Sequence, residues 1–471
     1  LTVKQRNQVL ESMEDEVGEI VLDDAYCQAE SISVTEHQGV SLVKEQIRFI
    51  HTMEKAGYLD RGLEYIPDDE TLLEREKQGN ALTRPELSVL IAYAKMVLKE
   101  DLVCDEIAND ALRAILADVL DFQFPVVQLE ENIATLELFH GPTMAFKDVG
   151  ARFMANCLGH FSGDESNEVT VLVATSGDTG GAVANGFLGV EGVKVVILYP
   201  SGKVSDIQER QLTTLGQNIT ALEVDGTFDD CQTMVKTAFL DEALLHEMQL
   251  TSANSINVAR WLPQLFYFLF AYKQVKSKGK EIVFSVPSGN FGNICAGMVA
   301  QKLGMPVKHF VAATNVNDTV PEFMKTGEYH PKPSTATISN AMDVGDPSNF
   351  IRIRHLFNND FKTLSQNLSS FAFSDIETKE AMISIYKNSN YITDPHGAVG
   401  YLGLKKYQEK HPDTFGIFLE TAHPVKFLDV VEETIHEKLE IPQQIQKVMG
   451  KEKESISIKK YDELKAYLLQ D

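Results

Sequence analysis

Two glycine-rich turns contain the residue types that bind anions in proteins. They are Ala174-Thr-Ser-Gly-Asp-Thr-Gly-Gly-Ala182 and Ser285-Val-Pro-Ser-Gly-Asn-Phe-Gly-Asn293. Each follows a short apolar run and precedes an amphipathic segment, which predicts a strand, a tight turn and a helix. Glycines at such a turn let backbone N–H groups converge on an anion, and the helix N-terminus adds partial positive charge. Neither turn has the Walker or GxGxxG pattern, so the sequence does not indicate a nucleotide site.

A turn of this kind can also serve only to join a strand to a helix. For one such turn this simpler interpretation is as good as anion binding. Two of them in the same alternating region favour a site.

A third feature is Lys147, which lies at the end of the segment Leu136-Glu-Leu-Phe-His-Gly-Pro-Thr-Met-Ala-Phe-Lys-Asp148. Taken alone, it is more simply a surface lysine whose stem lies on apolar neighbours while its amine reaches water. The alternative is burial, which lowers the pKa of a lysine amine and makes it able to form a Schiff base. A fourth segment, Phe418-Leu-Glu-Thr-Ala-His-Pro-Val-Lys-Phe427, ends a predicted strand, where ligands bind in parallel sheets.

The elements that would position these residues alternate between strand and helix from about Cys104 onward. Val- and Ile-rich runs predict strands at Val169–Ala174, Val193–Tyr199, Ile219–Val224, Ile282–Val286, Val307–Ala313 and Ile417–Leu419. Amphipathic spacing predicts helices at Gln208–Leu215, Cys231–Phe239, Val258–Val275, Gly292–Leu303 and Glu377–Asn388. Such alternation is typical of an α/β protein whose parallel sheets are covered by helices on both faces.

The first hundred residues have a different pattern of apolar residues. Apolar residues recur at helical spacing at Val9, Met13, Val17 and Ile20. Ser88–Leu98 also reads as a helix. We therefore expect an all-helical segment over residues 1–103, an α/β body over 104–440 and a peripheral tail over 441–471.

Composition excludes several classes of partner. The formal net charge is -25 and the pI about 4.9, so we expect neither nucleic acid nor an anionic membrane surface as a partner. The five cysteines are scattered and form no CxxC pair, which favours reduced thiols in the cytoplasm and predicts no metal site. The most apolar run, Trp261–Tyr272, is too short to span a bilayer. No oligomeric state is predicted.

Together, the four segments resemble the threonine synthases, a family of fold type II enzymes that depend on pyridoxal phosphate. The resemblance covers roughly residues 104–471 and extends to Asp394-Pro-His-Gly-Ala-Val-Gly400. Residues 1–100, with Asp60-Arg-Gly-Leu-Glu-Tyr-Ile-Pro-Asp-Asp69, resemble a late helical segment of the large bacterial NAD-dependent glutamate dehydrogenases.

The first resemblance implies a body like the tryptophan synthase β-subunit, with two parallel-sheet subdomains and pyridoxal 5'-phosphate as cofactor. Lys147 would carry the cofactor, and Thr421 would contact its pyridine nitrogen. The cofactor phosphate would be held by Gly289, Asn290, Phe291, Gly292 and Asn293. The turn of Ser176, Gly177, Asp178 and Thr179 would lie near the substrate carboxylate and the cofactor O3′. The substrate phosphate would lie near Asn257, Arg260 or Lys426.

The implied reaction converts O-phospho-L-homoserine and water to L-threonine and phosphate. One alternative is another enzyme of the same fold, such as a threonine dehydratase or cysteine synthase. Those relatives typically carry Asn at the position of Asp178, which speaks against this alternative. Another alternative is that the chain is a fusion of these two regions that binds the cofactor but is inactive, or acts only as a scaffold.

Overall fold

The computed structural model describes residues 109–161 and 168–470. The helices expected within residues 1–103 lie outside the described residues. The described strands are β1 Val126–Glu130, β2 Ile133–Glu137, β3 Val169–Ala174, β4 Val193–Pro200, β5 Ile219–Val224, β6 Gln249–Ser252, β7 Ile282–Pro287, β8 His309–Thr314, β9 Leu368–Ala372, β10 Phe415–Glu420 and β11 Ile456–Ile458.

The described helices cover the sheets formed by these strands. In chain order they are α1 Asn109–Val119, α2 Lys147–Phe161, α3 Asp178–Gly186, α4 Asp206–Thr213, α5 Phe228–Ala238, α6 Glu242–Glu247, α7 Val258–Trp261, α8 Leu265–Val275, α9 Gly292–Lys302, α10 Thr319–Thr326, α11 Phe350–Leu356, α12 Phe361–Asn367, α13 Asp375–Ser389, α14 Pro395–Gln408, α15 Leu428–Ile435, α16 Gln443–Met449 and α17 Tyr461–Leu468.

The larger sheet has six strands in the order β1-β2-β10-β7-β8-β9. All neighbours pair in parallel except β1, which forms an antiparallel edge with β2. On one face, Phe284 and Phe310 pack with Phe268 of α8. On the other face, Val283 packs in a cluster with Leu404 of α14. The central strands are therefore buried on both faces, as their continuous apolar runs predict.

The smaller sheet has five parallel strands in the order β11-β5-β4-β3-β6. Val173 and Ile197 pack beneath α3 and α4, and Leu172 and Val196 face α5 on the opposite side. The α/β class with two parallel-sheet subdomains is thus confirmed, with β1 as the antiparallel exception. Because β3, β7 and β10 run parallel to their neighbours, the turns that follow them lie at the carboxyl edges of the two sheets.

The predicted elements in the described residues mostly agree with the structure to within one or two residues. The main difference is the helix expected over Val258–Val275, which is divided into α7, a 3-10 turn at Leu262–Gln264 and α8. Pro263 lies in that turn and lacks the N–H that a continuous helix would need.

Within the described ranges, no helix is long and apolar enough to cross a membrane. The same residues contain no group of three or more His, Cys, Asp and Glu side chains that could hold a metal ion.

The C-terminal stretch contributes to the smaller sheet. Strand β11 pairs in parallel with β5, and α17 inserts Leu464 and Leu468 into the apolar cluster beneath that sheet. The stretch over 441–471, expected to be a peripheral tail, therefore supplies an edge strand and a packed helix. The domain boundaries themselves stay a prediction.

Replacing Leu464 by alanine should lower the free energy of unfolding by about 2–5 kcal/mol, because the side chain is fully buried and its removal leaves a cavity. Urea unfolding followed by circular dichroism would measure the change. The matched control is Leu469→Ala, whose side chain is 45% exposed and whose loss should change stability by about 0.5 kcal/mol or less. Equal effects of the two substitutions would contradict a packed α17.

Candidate active site

One cleft lies where the carboxyl edges of the two sheets meet. It is lined by Lys147 at the start of α2, Ser176 and Thr179 after β3, and Thr421 after β10. The turn after β7, Gly289–Asn293, forms another part of its wall. The structure therefore brings together four segments that are separated by up to about 270 residues in the sequence.

The turn after β7 offers a row of backbone donors. None of the amides from Gly289 to Asn293 donates to an acceptor among the described residues. Phe291 caps α9 in the left-handed conformation, with φ 62°, and so leads the chain from the turn directly into the helix. The amides of this turn and the positive end of α9 together make an anion-binding cradle.

Close packing behind this turn requires glycine. A β-carbon on Gly289 would lie 2.8 Å from the carbonyl oxygen of Ala341 and 2.9 Å from the Cα of Met342. Both obstacles are backbone atoms of the segment that packs behind the turn. The turn can therefore hold its position only without a side chain at Gly289.

The turn after β3 is built in a similar way. Thr175 Oγ1 accepts hydrogen bonds from the amides of Gly177 and Gly180, at 2.9 and 2.7 Å, and these bonds hold the turn in shape. Gly177 has φ 135°, a conformation open to glycine. The amides of Ser176 and Thr179 have no acceptor among the described residues. The cleft thus has a second cradle, at the N-terminus of α3.

Lys147 is the first residue of α2 and is partly buried in the cleft. Its amine lies 5.6 Å from the centre of the Phe146 ring. Burial lowers the pKa of Lys147 to about 8, and the positive charges of Lys426 and Arg260 act in the same direction, whereas Asp178 opposes them. A lysine in this state has a larger fraction of free amine near neutral pH than an exposed lysine.

The loop before Lys147 is fixed by Asp148, the next residue. The buried carboxylate of Asp148 accepts hydrogen bonds from the backbone amide and the hydroxyl of Thr143. Burial raises the pKa of Asp148 to about 6, although the bonds from Thr143 act against this rise. On the other side, the amide of Phe146 donates to the carbonyl of Thr421 at 2.8 Å. These contacts hold the lysine segment against the end of β10.

Thr421 follows β10 directly and is buried against the cleft. Its backbone carbonyl accepts a hydrogen bond from the Phe146 amide, but its hydroxyl has no hydrogen-bond partner among the described residues. The hydroxyl can therefore bind a ligand atom in the cleft as either donor or acceptor.

Asp178 and Lys426 form a fully buried ion pair next to the cleft. Lys426 Nζ lies 2.7 Å from Asp178 Oδ1 and also donates to the Thr143 carbonyl at 3.0 Å. Gln208 donates to the same carboxylate oxygen at 3.0 Å. Burial alone would raise the pKa of Asp178, but the charges of Lys426 and Lys147 outweigh it and hold this pKa below its usual range.

Of the three residues expected at the substrate phosphate, only Arg260 lines the cleft. The guanidinium of Arg260 is buried, its Nη1 donates to the Ala253 carbonyl, and its Nε has no partner among the described residues. Asn257 instead caps α7, accepting from the Ala259 amide at 3.0 Å and donating to the Ser252 carbonyl at 3.1 Å. Lys426 lies beneath the cleft in its ion pair.

One functional feature that the sequence analysis did not single out is His396. It lines the cleft, its Nδ1 lies 2.9 Å from Asp394 Oδ1, and its Nε2 accepts from the Ala341 amide at 3.2 Å. These bonds require the neutral ring with its proton on Nδ1. His396 thereby holds the Ala341 segment that packs behind Gly289. The sequence signal is the stretch Asp394-Pro-His-Gly, which belongs to the resemblance described above.

Glu420, the last residue of β10, is buried behind this histidine. Its carboxyl accepts from Thr393 Oγ1 and from the Asp394 amide, both at 2.6 Å. Burial and then the neighbouring charge of Asp394 raise the pKa of Glu420 well above its usual range. This raised pKa lowers the electrostatic cost of burying the carboxyl groups of Glu420 and Asp394 side by side.

Comparison with protein families agrees with this site. A model described as "Pyridoxal-phosphate dependent enzyme" matches residues 125–415, and one described as "Threonine synthase, C-terminal" matches residues 397–468. A third, "Glutamate dehydrogenase, C-terminal", matches residues 79–134. The last match includes α1, β1 and the first two residues of β2, so it extends past residue 100, the limit of the resemblance given above.

Curated relatives agree with the family models. The threonine synthase of Escherichia coli (strain K12) is 47% identical over 342 residues, covering 72% of this chain and 78% of the relative. That of Haemophilus influenzae is 43% identical over 405 residues, covering 86% and 92% respectively.

Solved structures show the same relationship. The crystal structure of Escherichia coli threonine synthase matches with a TM-score of 0.76 and 42% identity, over 84% of this chain and 90% of that one. A structure of threonine synthase with bound PLP from Brucella melitensis matches with a TM-score of 0.73 and 30% identity, over 82% and 90%. On this evidence the chain belongs to the threonine synthase family of pyridoxal-phosphate-dependent enzymes.

Proposed function

We propose that this chain is a threonine synthase, which converts O-phospho-L-homoserine and water to L-threonine and phosphate. In this reaction the bond between the γ carbon and the phosphate oxygen breaks, and the oxygen of water is added at the β carbon. The observation that carries the proposal is a partly buried lysine amine between two anion-binding cradles in one cleft. Cofactor and substrate each bring an anion to such a site.

The residues present fit pyridoxal phosphate. The unpaired amides of Gly289–Asn293 and the start of α9 suit its phosphate. Lys147 would form the covalent bond to its aldehyde carbon, because its lowered pKa gives it a larger fraction of free amine near neutral pH than an ordinary lysine has. The free hydroxyl of Thr421 would hydrogen-bond the pyridine nitrogen. A neutral hydroxyl there leaves that nitrogen largely unprotonated, which suits elimination and replacement over transamination.

The cofactor, when bound, supplies the electron sink that makes the hydrogens of the substrate's α and β carbons acidic. The protein must then move protons at those two carbons, and Lys147 has a pKa in the range that suits a general base and acid. Its neighbour Asp148 keeps the segment in place through Thr143. Orientation of this one amine is therefore a main contribution of the chain to the chemistry.

The substrate would be held by its two anionic ends. The free amides of Ser176 and Thr179, at the positive end of α3, suit the carboxylate. The buried guanidinium of Arg260, with its unpaired Nε, suits the substrate phosphate. In a chain of net charge -25, this cation supplies the local positive potential that an anionic substrate needs.

The main alternative is a dehydratase or cysteine synthase of the same fold. The buried pair of Asp178 and Lys426 argues against it, because those relatives typically carry a neutral Asn at the position of Asp178. An Asn there would leave the buried charge of Lys426 without a counter-ion, which is strongly unfavourable.

Purified full-length chain should release phosphate and L-threonine in equal amounts from O-phospho-L-homoserine. A Lys147→Ala variant should lose about 10²–10⁴-fold or more in rate, because it lacks the amine that moves the protons. Phosphate release and amino-acid analysis would measure both products. Lys447→Ala, which removes an exposed lysine of α16, serves as the matched control and should retain the rate.

Faster deamination of L-serine or L-threonine than phosphate release would favour the dehydratase. A chain that binds the cofactor but turns over none of these would favour a scaffold.

Replacing Gly289 by alanine should weaken cofactor binding by roughly tenfold or more. The added carbon meets backbone atoms of Ala341 and Met342, and overpacking of this kind costs about 1–3 kcal/mol. The affinity would be measured by titrating the cofactor-free chain and following absorbance. The control is Gly450→Ala, where the new carbon meets open space. An unchanged affinity in Gly289→Ala would remove the turn after β7 from the cofactor site.

A further inference from the structure

Lys426 lies at the centre of a buried network that the proposed reaction does not explain. Its side chain has no solvent exposure, and its amine is bound to Asp178 and to the carbonyl of Thr143. Thr143 is in turn bound by Asp148, the neighbour of Lys147. Lys426 is absent from the cleft lining, so it contacts the cleft through Asp178.

Asp178 stands between two lysines. Its carboxylate is 2.7 Å from Lys426 Nζ, and it lines the cleft together with Lys147. The charges of both lysines stabilise its ionised form and hold its pKa low. One carboxylate thus has two possible cationic partners, and the observed contact is with Lys426.

We propose that Lys426 is a positioning residue that neutralises Asp178 and so leaves Lys147 as a free amine able to react with the cofactor. The inference rests on the proposed role of Lys147 as the cofactor lysine. In this proposal Lys426 balances the charge of Asp178 beneath the cleft. The sequence analysis had expected Lys426 to contact the substrate phosphate directly.

The charges around Lys147 give the direction of the effect. Asp178 of α3 favours its ammonium form, whereas Lys426 and Arg260 of α7 oppose it. Asp148, on its own helix, is occupied by Thr143. Without Lys426, the carboxylate of Asp178 would be left to pair with Lys147. An opposite charge within about 4–6 Å raises the pKa of an amine by roughly 1–3 units, and an ammonium cannot attack an aldehyde.

The proposal also predicts the effect of removing one or both charges of the Asp178–Lys426 ion pair. Asp178→Asn alone would strand the buried cation of Lys426. Removing both charges at once, with Lys426→Met and Asp178→Asn, takes away one group that raises the pKa of Lys147 and one that lowers it. The double variant should therefore restore the reactivity of Lys147 that the single Lys426→Met variant loses.

The test is the rate at which the full-length chain, freed of its cofactor, takes up pyridoxal phosphate at different pH values. Uptake would be followed by the absorbance of the bound cofactor in the wild type, Lys426→Met, the double variant and the exposed-lysine control Lys447→Met. We expect the midpoint of the pH profile to move up by about 1 unit or more in Lys426→Met. It should return to within about half a unit of wild type in the double variant, and the control should not move.

Each outcome decides the question. A folded Lys426→Met with an unshifted profile overturns the proposal. If that variant does not fold, a folded double variant with a wild-type profile supports it. A double variant that does not fold, or whose profile stays shifted, overturns it. The assay contains no substrate, so its result is independent of whether the chain makes L-threonine.

Discussion

A lysine amine held largely out of water, between charges of opposite sign, is the interaction on which the site depends. Burial lowers the pKa of Lys147 to about 8, while Asp178 raises it and Lys426 and Arg260 lower it. A fully hydrated lysine would remain an ammonium at neutral pH and would be a poor nucleophile. The geometry of the cleft therefore serves first to desolvate this amine and then to keep the neighbouring carboxylate of Asp178 from stabilising its ammonium form.

The architecture follows from this requirement together with the need to bind anions. Each parallel sheet directs the carboxyl ends of its strands to one edge, and each of the two glycine-rich turns presents unpaired amides at such an edge. Two sheets facing one cleft therefore place two sets of backbone donors at it. The buried groups behind them, His396 with Asp394 and Glu420, fix the backbone that supports the turn after β7 and the end of β10.

Local pattern was enough to predict the glycine-rich turns and most strands, because apolar runs followed by Gly-rich turns are determined by neighbouring residues. Lys147 was different, since its own sequence context favoured a surface lysine, and only the combination of four segments indicated its role. The ion pair of Asp178 and Lys426 could not be predicted from the sequence, because no local rule links residues that meet only after folding. The antiparallel β1 is a similar case, because its partner and direction depend on the assembled sheet. The role of Asn257 as a helix cap could have been predicted, since Asn directly before the predicted helix at Val258 is a local capping signal.

The central claim is that Lys147 carries the cofactor, and one measurement tests it most directly. The chain, loaded with pyridoxal phosphate, would be reduced with borohydride, digested and mapped by mass spectrometry. The account predicts that the added pyridoxyl phosphate mass is found on the peptide that contains Lys147 and on that residue. A stoichiometric label on any other lysine, including Lys426, would contradict it.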